Sequence, residues 1–252
     1  MSEILELAVK RAQHTFKIFV RELSWERRRI HKTHELAIVR LDLKTNRGGT
    51  SPKVESVWVD NFQFDGRLIH GNLIYEPRFL KNKSKDQSVL ATIDQVSDWM
   101  FVSKGKVYGG FTIQGARQGM PLLEREKHDK KWNLDFGNPY EPRLSYLDYQ
   151  IDDDLNQIEQ PFGRKIAQNF SNYLSQSREL FQYTDRAGNT ILHMEALAGN
   201  SRIVETLLNY GADSTALNKY GQTVMDMAEI FQWTKVIDIL KKRKGLTSFI
   251  AV

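Results

Sequence analysis

The sequence predicts an α+β N-terminal domain, in which a helix packs on a curved antiparallel sheet, followed by an all-α domain of repeated helical units. Three observations predict it. Residues between Trp58 and Ile74 follow a period of two on either side of Asp65-Gly66, the pattern of two strands joined by a tight turn. Apolar residues from Ile4 to Val20 recur at helical spacing. From Asp185 onward the chain repeats itself, so that Gly188 falls on Gly221, Thr190 on Thr223 and Leu207 on Leu240.

Ile4, Leu5, Ala8, Ala12, Phe16, Phe19 and Val20 form one stripe on a helix of about five turns that lies on the sheet, with His14 off the stripe and facing solvent. Residues Glu35 to Lys44 alternate as a strand, and Asn46 to Pro52 is a Gly-rich loop. The sheet itself occupies Val57 to Thr112. Its hairpin places Trp58, Phe62 and Phe64 before the turn and Leu68, His70, Asn72 and Ile74 after it. Val89 to Ile93 and Val107 to Ile113 carry the β-branched and aromatic residues of further strands, and Lys104-Gly105-Lys106 turns the chain after Trp99 to Val102. Asp94 is expected to cap a short helical turn that delivers Trp99 to the sheet. Pro121 to Lys131 reads as a short charged helix, Trp132 to Pro142 as irregular chain, and Asp152-Asp153-Asp154 as a solvated boundary. The expected domains are 1–160 and 161–252.

The 252 residues include no cysteine, which removes disulfide frameworks and thiol chemistry and favours a reducing compartment. Met1 to Glu6 carries acids where a secretory signal is basic and then apolar, and no window is long and apolar enough to span a bilayer. A cytoplasmic protein with no membrane partner is the expectation. Residues 1–150 hold 25 Lys and Arg against 19 Asp and Glu, while 151–252 hold 11 against 12. The basic residues are scattered rather than arranged along a nucleic-acid backbone, apart from Arg27-Arg28-Arg29 with Lys32, just past the helix, and Lys241 to Lys244. Their placement argues for helix-end complementarity and against a nucleic-acid partner.

Glu76-Pro77, Ser97-Asp98-Trp99-Met100 and Gly109-Gly110-Phe111-Thr112, with Trp58, Gly71 and the Ala8, Ala12, Phe16 spacing, together resemble the bacterial YegJ-like domain of unknown function over about residues 5–115. The resemblance implies a small α+β fold and brings no reaction with it. The loop around Gly48-Gly49 and the segment from Met120 to Gln160 depart from that pattern.

The run from Asp185 through Gly188, Thr190, Leu192-His193, Ala196, Gly199-Asn200, Ile203-Val204, Leu207-Leu208 and Gly211-Ala212-Asp213 to Asn218 is similar to the ankyrin repeat. Repeats are expected at 185–217 and 218–244. Two such units do not bury their own faces, so a helix over 164–180 is expected to cover one end, and Leu246, Phe249, Ile250 and Val252 the other. The second repeat departs from the first at Val224-Met225, at Asp226 in place of His, and at Trp233 in place of Asn200. Trp233 is either an exposed interface anchor or a packed side chain.

No chemistry-bearing constellation stands out. His34-Glu35 lacks the second His of a zinc-protease motif, His31 and His34 are the one pair at helical metal-ligand spacing, and Gly105-Lys106 lacks a phosphate-loop context. A hydrolase on the first domain would show Glu76 or Asp98 with a shifted pKa beside a pocket. No enzyme activity, cofactor, metal or small-molecule partner is expected, and the partner is a protein. The ankyrin resemblance assigns partner binding to Arg186, Asn189, Lys219, Tyr220, Gln222 and Trp233. Residues 185–240 hold 4 basic and 7 acidic residues, which points their concave face at a basic surface. An orphan bacterial domain joined to a short ankyrin array resembles the immunity proteins of interbacterial toxin systems. That implies an antitoxin which neutralises a toxin domain acting on nucleic acid or NAD; a general ankyrin adaptor is the alternative.

Overall fold

In the computed structural model, residues 3–45, 53–147, 154–156, 163–177 and 179–250 are described, those at 53 and 244–250 by backbone alone. The chain divides into two compact units, Met1–Asp153 and Asp154–Val252. The first contains an antiparallel sheet with helices and the second is helical with ankyrin repeats.

The first unit begins with α1 (Glu3–Arg28), whose first turn carries Glu3 and Glu6 and whose last carries Arg27 and Arg28, as the helix dipole favours. The helix is longer than the apolar stripe suggests. Trp25, buried at its far end, extends the packed face past Val20, so Arg27 and Arg28 lie within the helix and not beyond it. The sheet comprises β1 (His34–Thr45), β2 (Lys53–Phe64), β3 (Ile69–Leu73), β4 (Ser88–Ala91), β5 (Val96–Ser103) and β6 (Lys106–Gly109), in the order β4-β3-β2-β1-β5-β6. Every pairing among these strands is antiparallel.

The β2–β3 hairpin turns where expected, with Asp65 Oδ1 accepting from the N–H groups of Arg67 and Leu68. Its faces differ from an unbroken alternation. A bulge between Asp60 and Gln63, with Asn61 at φ 48°, turns the strand over, so Val57 and Val59 before it and Phe62 after it are all buried. Phe62 meets Phe16 and Phe19 of α1 at ring-centroid distances of 5.7 and 5.4 Å. Trp58 instead packs with Ile38, Met100, Val102, Val107 and Phe136. Trp99 on β5 is 0% exposed and donates its Nε1–H towards Ala12 O and Thr15 Oγ1, both at 3.1 Å, tying the sheet to α1.

Two local expectations are corrected. The short turn before β5 is a 3-10 helix over Ile93–Gln95 capped by Thr92, not by Asp94, because Gln95 returns its side chain to Thr92 N at 3.0 Å. The apolar run Val107 to Ile113 is not one strand. Gly109 and Gly110 adopt φ of 72° and 68°, and a Cβ on Gly109 would lie 2.3 Å from Trp99 O, so the chain turns there into α2 (Phe111–Gln118). The charged helix α3 (Leu122–Trp132) follows, joined to α2 by Arg117, which donates from Nε and Nη2 to the Asp129 carboxylate at 3.0 and 2.5 Å. The expected loop at 46–52 and the boundary residues 152–153 lie outside the described residues.

In the second unit, α4 (Gly163–Gln176) precedes α5 (Ile191–Leu197), α6 (Ser201–Asn209), α7 (Val224–Ile230) and α8 (Thr234–Ile250). Helix α5 packs on α7, α6 on α8, and α4 covers α6, where Ser171 Oγ and Tyr210 OH lie 2.7 Å apart. The helix expected over 164–180 ends at Gln176, and Glu179–Gln182 forms a separate 3-10 turn. Helix α8 continues past 244 to Ile250; the side chains of Leu246, Phe249 and Ile250, and all of Val252, lie outside the described residues.

Candidate functional site

Two turns project from the repeats, Asp185 to Thr190 and Asn218 to Thr223. Gly188 and Gly221 take the positive φ that each turn needs, 79° and 74°. Asp185 Oδ1 accepts from the N–H groups of Ala187 and Asn189, and Asn218 Oδ1 from those of Tyr220 and Gln222, all within 2.9 Å. Asn218 then donates from Nδ2 to Asn189 Oδ1 at 2.9 Å and to Gln222 Oε1 at 3.0 Å, joining the turns through their side chains. The backbone joins them too, through Lys219 N–H to Ala187 O at 2.8 Å. The result is a rigid two-finger edge.

Behind the fingers, Thr190 and Thr223 cap α5 and α7, with His193 and Asp226 completing the two capping boxes. The two partners differ for a physical reason. His193 is 0% exposed, with Nε2 lying 3.2 Å from Gln222 O of the next finger. Burial, opposed by contacts to Gln222, Ala216 and nearby carboxylates, holds its pKa below the usual imidazole value. Asp226 occupies the same place in the second repeat, is exposed, and accepts from Thr223 N–H and Oγ1–H at 2.6 and 2.7 Å. A carboxylate caps a helix as well as an imidazole does, and here it reaches no further finger.

The six residues assigned from sequence separate on this edge. Arg186, Lys219 and Tyr220 are exposed at the finger tips. Asn189 is buried and occupied by the side-chain ladder, and Gln222 is half-buried with its side-chain oxygen accepting from Asn218. Trp233 is 1% exposed. Its indole N–H donates to Leu197 O at 2.9 Å, and its ring lies so close to Gly199 that a Cβ there would approach it to 2.3 Å. An interface anchor at Trp233 is therefore excluded: the side chain stacks the second repeat on the first. Two exposed apolar side chains not singled out from sequence flank the edge, Tyr183 at 55% and Leu217 at 62% exposure. They sit just before the Asp185 and Asn218 turns, and an apolar residue in so polar a stretch was the available signal.

Nor does the acidic excess of the repeats line the fingers. Asp185 is engaged in its own turn, Glu195 is 3% exposed, and Asp213 accepts from Thr215. Asp226 and Glu229 are exposed on α7 at positions matching the buried His193 and Ala196 of α5. The exposed charges at the tips are Arg186 and Lys219.

The acids considered for chemistry in the first unit are differently placed. Asp98 is 0% exposed, and burial pushes its pKa up to about 6 against the opposing effect of its hydrogen bonds. Those bonds define its role: Oδ1 accepts from Phe111 N–H at 3.0 Å, and Oδ2 from Thr112 N–H and Oγ1–H at 2.7 and 2.6 Å, which starts α2. Glu76 is exposed and accepts from Lys85 N–H at 3.0 Å. His31 is exposed in a loop, while the His34 side chain is 4% exposed at the start of β1 and stacks on Phe101, so the helical spacing that would pair them does not exist. Among the described residues no three His, Asp or Glu side chains cluster as metal ligands do.

Residues 2–136 match the family described as uncharacterized protein conserved in bacteria, DUF2314. The chain belongs to this family. The DUF2314 match reaches beyond the 5–115 expected from sequence and takes in α2, α3 and Phe136, so part of the segment after Met120 is family and not insertion. Residues 178–228 match ankyrin repeats. A protein of Neisseria meningitidis serogroup B, named as an ankyrin repeat protein, is 39% identical over 241 residues, covering 96% of this chain and 94% of its own length. This DUF2314 chain therefore carries a protein-interaction module in its ankyrin unit, and its partner there is a protein.

Proposed function

We propose that this chain is an immunity protein, a non-enzymatic cytoplasmic antitoxin that holds a cognate bacterial toxin domain inactive through its ankyrin fingers. The observation that carries the reading is the finger edge. Arg186, Lys219 and Tyr220, flanked by Tyr183 and Leu217, are exposed on turns whose polar groups are already satisfied internally. Such an edge loses little conformational freedom on binding, and it offers the Tyr, Arg and apolar chemistry that interface anchors use. A bacterial domain joined to a two-repeat array, and a relative of nearly the same length named for its ankyrin repeats, fit a dedicated binder of this size.

The test is to co-express and purify the chain with the product of its neighbouring reading frame. A stable complex is expected, together with protection of cells from that product. Arg186→Glu combined with Tyr220→Ala is expected to weaken the complex about 100-fold, as loss of central interface residues does, with the thermal unfolding profile unchanged. Absence of both complex and protection overturns the antitoxin reading. A complex with several unrelated proteins, without protection, would instead identify a general adaptor.

A further inference from the structure

The loop between α1 and β1 presents an apolar side chain inside a group of cations. Ile30 is 93% exposed, more than any other large apolar side chain among the described residues. A loose loop would explain that, but this loop is pinned. The Glu26 carboxylate, on a residue 7% exposed, accepts from Thr33 N–H at 2.5 Å, His34 N–H at 3.0 Å, Thr33 Oγ1–H at 3.0 Å and Arg29 Nη1–H at 2.8 Å. Burial raises the Glu26 pKa, yet these bonds and the neighbouring His34 outweigh it and bring it down to about 2. On the other side, the Arg29 guanidinium sits 4.9 Å from the Tyr146 ring centre, and Thr33 Oγ1 lies 3.0 Å from Tyr146 OH. The fold thus holds an isoleucine out in water at a fixed tip.

What surrounds the tip is mainly basic, the exposed acids at that end among the described residues being Glu35 and the Arg143-paired Asp135. Arg27, Arg28, His31 and Lys32 are exposed on the loop and the helix end. The register brings a second source, because His34 pairs with Ser103 and Glu35 Oε1 accepts from Gly105 N–H at 3.2 Å. Exposed Lys104 and Lys106 of the β5–β6 turn therefore stand at the same end of the sheet. A protein interface of ordinary size needs a cluster of apolar anchors, and a single-stranded nucleic-acid site needs open aromatic platforms. Among the described residues of this tip Ile30 is the one strongly exposed apolar side chain, and the Tyr146 ring, 37% exposed, lies against the Arg29 guanidinium. A wedge rimmed by cations suits a surface that is anionic, laterally uniform and apolar beneath.

We propose that the Ile30 tip docks peripherally on an anionic lipid surface, the isoleucine entering the acyl boundary while Arg27, Arg28, Lys32, Lys104 and Lys106 meet the headgroups. No bilayer-spanning segment is required, and among the described residues no helix is long and apolar enough to be one. The sequence expectation of no membrane partner rested on spanning segments alone. The tip belongs to the first unit and the ankyrin fingers to the second, and the proposal does not rest on the antitoxin reading.

Sedimentation of the full chain with vesicles tests it. Binding is expected to vesicles of phosphatidylcholine containing about one quarter phosphatidylglycerol, to be weak on phosphatidylcholine alone, and to fall with added salt. Lys104→Ala and Lys106→Ala are each expected to lower the partition coefficient about fivefold, and Ile30→Ser at least about tenfold. All three side chains are exposed, and circular dichroism is expected to show unaltered folding. The proposal is overturned if the chain stays in the supernatant with both vesicle types. It is equally overturned if Ile30→Ser binds vesicles as the parent does while duplex DNA or an acidic polypeptide competes, which would make the tip a general polyanion patch.

Discussion

Replacing Trp233 by Ala separates two roles that its sequence position leaves open. The side chain is 1% exposed, stacks across Gly199 and donates its N–H to Leu197 O at 2.9 Å, so truncation removes a buried ring that holds the second repeat on the first and takes away the donor to that carbonyl. Loss of a buried aromatic of this size costs about 3–5 kcal/mol. For a unit spanning Asp154–Val252, each 1 kcal/mol corresponds to roughly 4–8 °C, so its unfolding midpoint is expected to fall by more than about 12 °C. Trp233→Phe keeps most of the packing and loses the hydrogen bond, for an intermediate loss of about 1–2 kcal/mol. Calorimetry on the full chain reads the two units separately, and the transition of the DUF2314 unit is expected to stay where it is. An unchanged midpoint in Trp233→Ala, with partner binding abolished, would refute the buried role and restore the interface anchor.

The remaining expectations use the same measurements. His193→Ala is expected to destabilise the ankyrin unit by about 2–3 kcal/mol, because its ring serves both the α5 cap and the next finger, and Asp226→Ala by only about 1 kcal/mol, as loss of one cap does. Thermal melts of the two variants check the order. Gly199→Ala is expected to be about as damaging as Trp233→Ala, since the new methyl meets the indole and φ is 69°. In the DUF2314 unit, Asp98 has a raised folded pKa, about 6, so its effect on stability improves as pH falls from 6 towards 3.8. Glu26 has a lowered one, about 2, so its contribution is full above 4.5 and is lost as pH falls towards 2. Burial holds the His34 pKa down at about 4, so His34 costs stability as pH falls from 6.5 towards 4 and opposes Asp98 over the same range. Urea midpoints are therefore expected to stay nearly level from pH 7 to about 4.5 and then decline, with the decline flattened in Glu26→Gln.

What was legible in the sequence was whatever a short window decides. The α1 stripe, the Asp65-Gly66 turn and the repeat spacing are local patterns with local causes. The misplaced features were decided at a distance. Val107 to Ile113 has the composition of a strand, but Asp98 accepts the first N–H groups of α2 and Trp99 forbids a side chain at position 109. Trp58 changes faces because one extra residue at Asn61 turns β2 over, and no composition marks a bulge. Of the candidate site, the finger positions were readable from the ankyrin pattern. Which of them reach solvent was not, since Asn189 is buried through a contact with Asn218 that exists only when the repeats stack.

The second repeat carries charges on the face where a further repeat would pack. Positions that α7 covers on α5, such as His193 and Ala196, are buried there; their counterparts on α7 are Asp226 and Glu229, both exposed. A third repeat packed on α7 would bury those two carboxylates, at a cost no neighbouring cation offsets in the described structure. The acidic excess of the repeats is therefore partly an end cap, which keeps this face from accepting another repeat or another copy. The finger edge is left with Arg186, Lys219 and Tyr220 as its exposed chemistry, so its partner is expected to present acidic groups beside an apolar patch. Isothermal titration of the purified pair, with Arg186→Glu against the parent, reads the sign: binding weakens if the facing surface is acidic, and a tighter complex would show it to be basic and return the acidic residues to the interface.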